Sequence, residues 1–593
     1  MCGIVGYIGK RKAVDVIIDG LKILEYRGYD SAGLSVFDGK KIVTVKKKGF
    51  VGELEKNAEG LQGVCGIGHT RWATHGAPSD SNSHPHLSGK FALVHNGIIE
   101  NFDDIKRQLK EKGKRFLTDT DSEAAVRLID DMYEGDVLKA VCGAVKKMKG
   151  SFAFAILCKD FPDKVFVVKK QSPLVVGLGE GECFVASDCM AFSKYTDKAV
   201  YLKDNEVGVV DKNGLSLFDF NLNKKNFRTE KTDIGDDYRL SENCSSFMYK
   251  EIFESPKALQ YTAADFFADT ATQKQVIDIF SKHDKVIMLG CGTAYNACLV
   301  GKNVFEKMLD VDCETELASE FRYKNPKVNS NTLVIAVSQS GETADTIAAV
   351  KLAKAKGAGI AVITNVRHSS LTRFADVVLH TKAGAEVAVA ATKSYLTQTL
   401  MFLLVATLLR EGSKVSEEIK KQILKLPQTA EQALKFDSLM QKYAKKHCQK
   451  QSVFFIGRGM DYALAAEGTL KLKEVSYIHS EGFAAGELKH GTLALIDKNA
   501  LVIAIATQRN VAEKTVNALH EVTARGGKVI LLTCFEKLKD TKGAEVILLP
   551  QTGGLLMTAP AIIPLQLFAY HMSVERGINP DKPRNLAKSV TVE

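Results

Sequence analysis

The chain of 593 residues lacks the patterns that mark a disulfide-held or zinc-bound protein. Its 12 cysteines are scattered, with no CxxC pair and no His/Cys cluster at metal-ligand spacing. That argues against a disulfide framework or a metal site and fits a reducing compartment. A long apolar run is missing too. The longest strongly apolar stretch, Leu400 to Leu409, is about half of the roughly 20 residues needed to cross a bilayer, so it reads as a buried helix. The start, MCGIVGYIGK, has none of the charged segment, apolar stretch and cleavage site of a secretory signal. The chain is therefore expected in the cytoplasm, without a membrane partner. Long basic tracts are absent: the net charge is +10, but the one short run, Lys46 to Lys48, is flanked by apolar residues. This argues against nucleic acid and leaves a mild bias toward small anions. Tryptophan occurs once, as Trp72.

What is present is the composition of a globular protein, 45% hydrophobic and 25% charged, at a length that calls for three or four folding units. Up to about residue 220, short β-like runs (IVTVKKKG, FALVHNG, FAFAILC, KVFVVKK) alternate with turns and a few helical stretches, which predicts an α+β domain rich in antiparallel sheet. From about 221 to 245 the text turns polar and reads as a linker. Beyond it, apolar strands of five to seven residues alternate with helix-length amphipathic segments, the pattern of doubly wound α/β units with parallel sheets. This half repeats itself. KVIMLGCG ends at Gly292 and its echo SVFFIGRG at Gly459, while LVIAVSQSGE begins at Leu333 and LVIAIATQRN at Leu501, offsets of 167 and 168. A register kept so closely predicts two homologous domains in tandem. The expected divisions are a first domain over 2–220, a linker with lead-in helices over 221–273, α/β domains over 274–413 and 441–583, and a tail over 584–593.

The segment TLVIAVSQSGETADTIAAVKLAKAKG reads as a buried strand, a Ser/Gly/Thr loop and a helix. Loop amides and a helix N-terminus favour an anion, and Ser338, Gln339, Ser340 and Thr343 add short donors, so the loop is a candidate phosphate cradle as well as an ordinary capped helix start. The second copy has TQRN in place of SQSG, so only the first keeps the hydroxyl-rich loop. In the second repeat Glu467, Lys471 and Glu474 fall at i, i+4 and i+7, on one helix face. Such a row is commonly a solvated ladder. Here its neighbours are small and apolar, and His490 follows in a Gly-flanked segment, so an acid, a base and a cation come within reach of one another, as aldose–ketose chemistry requires. The chain ends PRNLAKSVTVE; Lys588 is either part of a frayed terminus or an amine able to form a Schiff base at a keto carbon. At the other end, loss of Met1 would leave Cys2 with a free α-amine, a nucleophile and a base on one residue, although a small buried cysteine is the commoner fate.

SQSGET, with CGTAYN before it, resembles the sugar isomerase (SIS) domain family, which binds phosphosugars. The resemblance implies phosphosugar contacts from Thr293, Ser338, Gln339, Ser340 and Thr343. Members often carry Ser where this chain has Ala294 and Ala391, so those two hydroxyl contacts are absent or replaced. MCGIVG, YRGYDSAG, HTRWATHG, NSHPH, HNGIIEN and TDTD resemble, in the expected order, the N-terminal-nucleophile glutamine amidotransferase domain. That likeness implies Cys2 as nucleophile, Asn96 and the Gly97 amide as oxyanion hole, Arg71 on the glutamine carboxylate, Asp119 on its amine, Thr74 and His75 in the same pocket, and Trp72 as a gate for ammonia. His75, His84 and His95 read individually as structural hydrogen-bonding residues.

With both halves in one chain, the whole resembles the amidotransferases that move the amide nitrogen of L-glutamine to fructose 6-phosphate. The resemblance implies that His490 opens the sugar ring, Lys588 forms the imine, and Glu474 moves the proton with help from Lys471. It also implies no metal and no organic cofactor, and a homodimer in which His490 comes from a neighbouring subunit. Action on another phosphosugar, a deglycase running the sugar chemistry backwards, and a phosphosugar-sensing regulator are the alternatives. The regulator would carry a helix-turn-helix and could dispense with Cys2, Glu474 and Lys588.

Overall fold

The computed structural model describes residues 2–232, 244–367, 369–412 and 417–591. The chain divides into two compact units, residues 1–236 with 589–593, and residues 237–588.

In the first unit β1 (Gly3–Ile8), β2 (Cys65–Arg71), β3 (Phe91–Ile99) and β4 (Gly150–Cys158) belong to two antiparallel sheets. Among the described residues, one sheet has eight strands, with β1 beside β2, and the other seven, with β3 beside β4. Strand alternation explains the layering. Ile4 and Ile8 of β1 meet Ala92 and Val94 of β3 in a core between the sheets. Val5 and Tyr7 turn the other way onto α1 (Ala13–Leu24). Phe91 and Leu93 turn outward onto helices that include α2 (Asp121–Asp131). The result is a four-layer stack, helix on sheet on sheet on helix, in agreement with the α+β expectation. The stretch expected as a linker is sheet in part: Lys224–Lys225 and Glu230–Lys231 add short strands to the two sheets, and residues 233–243 lie outside the described residues.

The second unit opens on helices that include α3 (Phe247–Phe253) and contains the predicted repeat. In the first copy β5 (Lys285–Gly290) leads into α4 (Thr293–Met308), and β6 (Thr332–Val337) into α5 (Ala344–Ala355). After α6 (Lys393–Glu411) and a run of connecting helices, β7 (Ser452–Gly457) leads into α7 (Met460–Ser476), followed by β8 (Leu501–Ala506) and α8 (Thr558–Glu575). Each copy has five parallel strands among the described residues, in the same spatial order, second-first-third-fourth-fifth. The register repeats as well, Val286 opposite Leu333 and Val453 opposite Leu501. Both first helices start on a glycine in one unusual conformation, Gly292 at φ 54°, ψ −127° and Gly459 at φ 57°, ψ −124°. A side chain at this φ would be strained, so the glycines are what let strand turn into helix in two residues.

The two copies share a core built from α4, α6, α7 and α8. Leu400–Leu409 lies inside α6 as expected, buried apart from its last residue, Leu409. The segment Gly554–Glu575 is long and apolar enough to cross a membrane, but 89% of its apolar window is buried inside the unit. It is apolar on every side because protein surrounds it on every side. Phe402 of α6 packs edge-on against Phe305 of α4, with ring centroids 5.9 Å apart, both fully buried. Phe402→Ala is expected to cost about 3–5 kcal/mol and to lower the thermal midpoint followed by circular dichroism. An unchanged midpoint would mean that this contact does not hold the helices together.

Candidate active sites

In the first unit the β1–β2 register places Gly3 opposite Thr70, which brings Cys2 to the end of β2. The backbone N–H of Trp72 donates to Cys2 Sγ at 3.2 Å. Burial pushes the Cys2 thiol up, while the amino terminus, that N–H and Arg71 work to lower it. The thiol therefore needs a base to become a thiolate near neutral pH. On β3, Asn96 donates from Nδ2 to the Cys2 carbonyl at 3.0 Å, and its Oδ1 lies 3.1 Å from His69 Nε2. His69 thus fixes which way the amide faces. Gly97 has φ +128°, and a Cβ there would fall 2.0 Å from the Ser151 carbonyl oxygen, so no larger residue fits at this position.

The buried Arg71 guanidinium donates to the carbonyls of His75 and Gly76, the latter at 2.8 Å, and keeps Nη1 without a partner among the described residues. Burial lowers its pKa, with Cys2, Asp30 and Asp121 opposing. A buried cation with a spare donor suits a carboxylate ligand. The pocket here, about 250 Å³, is lined by Cys2, Arg71, Trp72, Thr74, His75 and Gly97 among others. Asp119 is exposed and is not in that lining, which instead includes Thr120, Asp121 and Ser122 of the same TDTD segment and its successor. Asp121 accepts from the Ile99 N–H at 2.9 Å, tying α2 to β3. Trp72 is half-buried, edge-on to Tyr29 at 5.8 Å, rather than a core anchor.

His69, His84, His86 and His95 form a buried cluster, with the His69 and His84 rings stacked at 4.0 Å. Burial drives all four downward, His69 to about 3, so they are neutral at physiological pH. They hold Asn96, Ser122 and Thr120 in place as uncharged hydrogen-bonding groups. No group of three potential metal ligands occurs among the described residues.

In the second unit the α7 row is not a solvated ladder. Glu467 and Lys471 side chains are 0% exposed and Glu474 is 20% exposed. Lys471 Nζ lies 2.6 Å from Glu474 and 3.5 Å from Glu467. Glu467 is further held by Asn296 Nδ2 at 2.8 Å and Thr293 Oγ1 at 3.1 Å, so Thr293, expected on the sugar, turns its hydroxyl to α7. Burial raises Glu467 to about 7, against Lys471 and Asn296. Burial would lower Lys471, but Glu474, Glu467 and Glu386 push it above its ordinary value.

The loop between β6 and α5 folds inward: Ser338 Oγ is 3.0 Å from Thr343 Oγ1 and accepts from the Gly341 N–H at 3.0 Å, and Ser340 Oγ accepts from the Glu342 N–H at 3.2 Å. Gln339 anchors the loop through its carbonyl, which accepts from the Asn365 N–H at 3.1 Å. No side chain caps α5, which leaves first-turn N–H groups facing outward for an anion. The second copy is filled by its own residue. Asp461, in the first turn of α7, accepts from the backbone N–H groups of Thr507 at 2.8 Å and Gln508 at 3.2 Å and from the Thr507 hydroxyl.

Lys588 is not frayed. Its side chain is 4% exposed, with Nζ 2.6 Å from Glu386 Oε2. Because Glu386 also raises Lys471, its field reaches α7. His490 stands exposed on the turn Glu487–His490 and makes no hydrogen bond to a described residue. Glu251 and Glu386 were not singled out in the sequence; Glu251 meets Val387 and Ala388, and Glu386 meets Lys588, far along the chain, and no local motif marks either.

Two SIS domains match residues 279–408 and 447–576, and a glutamine amidotransferase domain matches residues 69–194. The chain is 47% identical over 617 residues to the glutamine–fructose-6-phosphate aminotransferase (isomerizing) of Clostridium tetani, and 44% identical over 609 residues to that of Thermococcus kodakarensis, with 100% of each chain covered in both cases. The C-terminal domain of glucosamine-fructose-6-phosphate aminotransferase from Francisella tularensis superposes with a TM-score of 0.54 at 34% identity, covering 58% of this chain and 100% of that one.

Replacing Lys471 by Met leaves two carboxylates beside an empty cation position and is expected to cost about 3–5 kcal/mol. Because Glu467 is raised, the folded form keeps a proton that the unfolded chain gives up. Stability is therefore lost as pH rises toward about 7, and the variant deepens that loss. Urea unfolding at acid and neutral pH checks it; equal losses at both would refute the coupling.

Proposed function

The chain belongs to the family of glutamine–fructose-6-phosphate aminotransferases, and on that premise we propose that it converts L-glutamine and D-fructose 6-phosphate into L-glutamate and D-glucosamine 6-phosphate through the two sites just described. The observation that carries this reading is their presence on one chain: a Cys2 thiol among oxyanion donors, and a buried Lys588 amine in the sugar unit.

At the first site Cys2, freed of Met1, passes its thiol proton to its own α-amine, whose reference pKa is roughly 7.7–8.0, and attacks the glutamine amide carbon. The second hydrogen of Asn96 Nδ2 and the Gly97 N–H take the oxyanion, since one Nδ2 hydrogen is already on the Cys2 carbonyl. The unpaired Nη1 of Arg71 takes the glutamine α-carboxylate, with Thr74 and His75 shaping the pocket, and Asp119, just outside the lining and next to Thr120, takes the α-amine. Ammonia leaves, and water releases glutamate from the thioester. Trp72, beside the thiol, gates the ammonia.

At the second site the α5 N-terminus and the Ser338–Thr343 loop take the phosphate. His490 opens the ring, and Lys588 forms an imine at the keto carbon. Ammonia displaces the lysine, and Glu474, the carboxylate of the α7 row that reaches solvent, takes a proton from C1 and returns it to C2. Lys471 steadies the charge that develops. The ammonia gained balances the water lost, so no cofactor is called for. The exposure of His490 fits a residue that completes the site of a second copy in a homodimer. The 12 free thiols fit a cytoplasmic enzyme.

A coupled assay tests the reading. Wild type should form glucosamine 6-phosphate and glutamate together, and Cys2→Ala should lose glutamine use while still aminating the sugar from added ammonia. Hydrolysis of glutamine without amination of fructose 6-phosphate would instead point to another phosphosugar. Asn96→Ala is expected to slow glutamine hydrolysis about 10²–10³-fold, mainly in kcat; a change confined to KM would remove it from the oxyanion hole.

A further inference from the structure

Two carboxylates of the second unit have no part in the chemistry above, and both bear on Lys588. Glu386 is fully buried. Its Oε1 accepts from the N–H groups of Thr392 at 2.9 Å and Ser394 at 3.0 Å, and its Oε2 from the Ser394 hydroxyl at 2.7 Å and Lys588 Nζ at 2.6 Å. Glu251, on α3, is buried as well. Its Oε1 accepts from the N–H groups of Val387 and Ala388, the latter at 3.2 Å, while Oε2 has no partner among the described residues. Val387 and Ala388 directly follow Glu386, so Glu251 grips the backbone that carries it.

A lysine bonded to a carboxylate in a dry site is an ammonium, and an ammonium has no lone pair with which to attack a ketone. Imine formation therefore needs a group that removes one proton from Nζ and later gives it back. Resting on the reading of Lys588 as the imine-forming amine, we propose that Glu386 is this proton carrier and that Glu251 is the residue that positions it. The steps balance. Nζ gives one proton to Glu386; its lone pair forms the C–N bond to the keto carbon; a second proton moves from nitrogen to the former carbonyl oxygen. Glu386 then returns its proton to that hydroxyl, the C–O bond breaks, and water leaves. One hydrogen stays on nitrogen as the iminium, with no net proton gained or lost.

The surrounding charges suit this exchange. Burial works to raise Glu386, but Lys588 and Ser394 hold it down to about 2, so it rests as the anion. Burial and the charge of Glu386 raise Glu251 to about 8, against Lys588 and Lys393, so near neutral pH it is an uncharged acid. Lys393 is itself paired with Glu254 at 2.6 Å, and Lys471 with Glu474. Lys588 thus faces one carboxylate anion from this pair. Above about pH 8 Glu251 ionises, and its negative charge beside Glu386 makes that carboxylate hold a transferred proton more tightly, which slows return of the proton to the hydroxyl.

The test traps the imine. Full-length protein is mixed with fructose 6-phosphate alone, reduced with borohydride, and the adduct on Lys588 is timed by peptide mass spectrometry across pH. Glu386→Gln is expected to slow adduct formation by about 10²-fold with sugar affinity within about threefold of wild type, and Glu386→Asp to recover part of the rate. Wild type should slow above about pH 8, and Glu251→Gln, which keeps the bonds to Val387 and Ala388 but has no charge to gain, should not. A Glu386→Gln rate equal to wild type, or a loss confined to sugar affinity, overturns the proposal. If Glu386→Gln fails to fold, a Glu386→Asp rate equal to wild type with no difference between Glu251→Gln and wild type above about pH 8 overturns it instead. Absence of any adduct in wild type together with full amination by Lys588→Arg brings down the imine reading itself, which is a different result.

Discussion

A charge removed from water has to find its opposite, and this requirement organises the sugar half of the molecule. Lys471 between Glu467 and Glu474, and Lys588 on Glu386, are ammonium groups with almost no solvent, each held by a carboxylate from its own helix or from a distant part of the chain. The arrangement is costly to break and adds little over an apolar core of the same volume. On the proposed reading its use is chemical. Ammonium and carboxylate packed together in a dry space give a set of groups whose protons can be moved by a small change in neighbouring charge, and proton movement is what imine formation and aldose–ketose exchange consist of.

The glutamine half solves the opposite problem. Its Cys2 thiol lies near groups stripped of charge: four buried neutral histidines act as hydrogen-bonding spacers, His69 aiming the Asn96 amide and the others holding Ser122 and Thr120. The buried cation beside them, Arg71, is anchored by two carbonyls and leaves a donor over among the described residues. The two units so divide the labour, one holding charges ready to shift and the other holding dipoles that must not.

Much of this was legible in the sequence because it depends on spacing. The tandem repeat showed in two apolar strands separated by 167 and 168 residues, and the structure returns it as two sheets with one strand order and one register. The Glu467–Lys471–Glu474 row followed from helical periodicity, though whether it faced water did not, because burial is decided by α4 and its Asn296. Other features were hidden for physical reasons. Glu386 meets Lys588 across 202 residues, and Glu251 reads in the text as one more acid on an amphipathic helix. Nor does the sequence show that the Thr293 hydroxyl donates to Glu467, 174 residues away. The short strands at 224–231 carry too little apolar character to stand out from a linker, and α8 holds a proline, Pro564, within an apolar helix.

Asp461 has a consequence for counting. The position where the first copy has Ala294 is, in the second, a carboxylate that occupies the N–H groups of Thr507 and Gln508. An anion arriving there would meet a negative charge in place of open donors. Duplication gave the chain two vessels of one shape, one of them stoppered from within, so that on the proposed reading each chain takes a single phosphosugar.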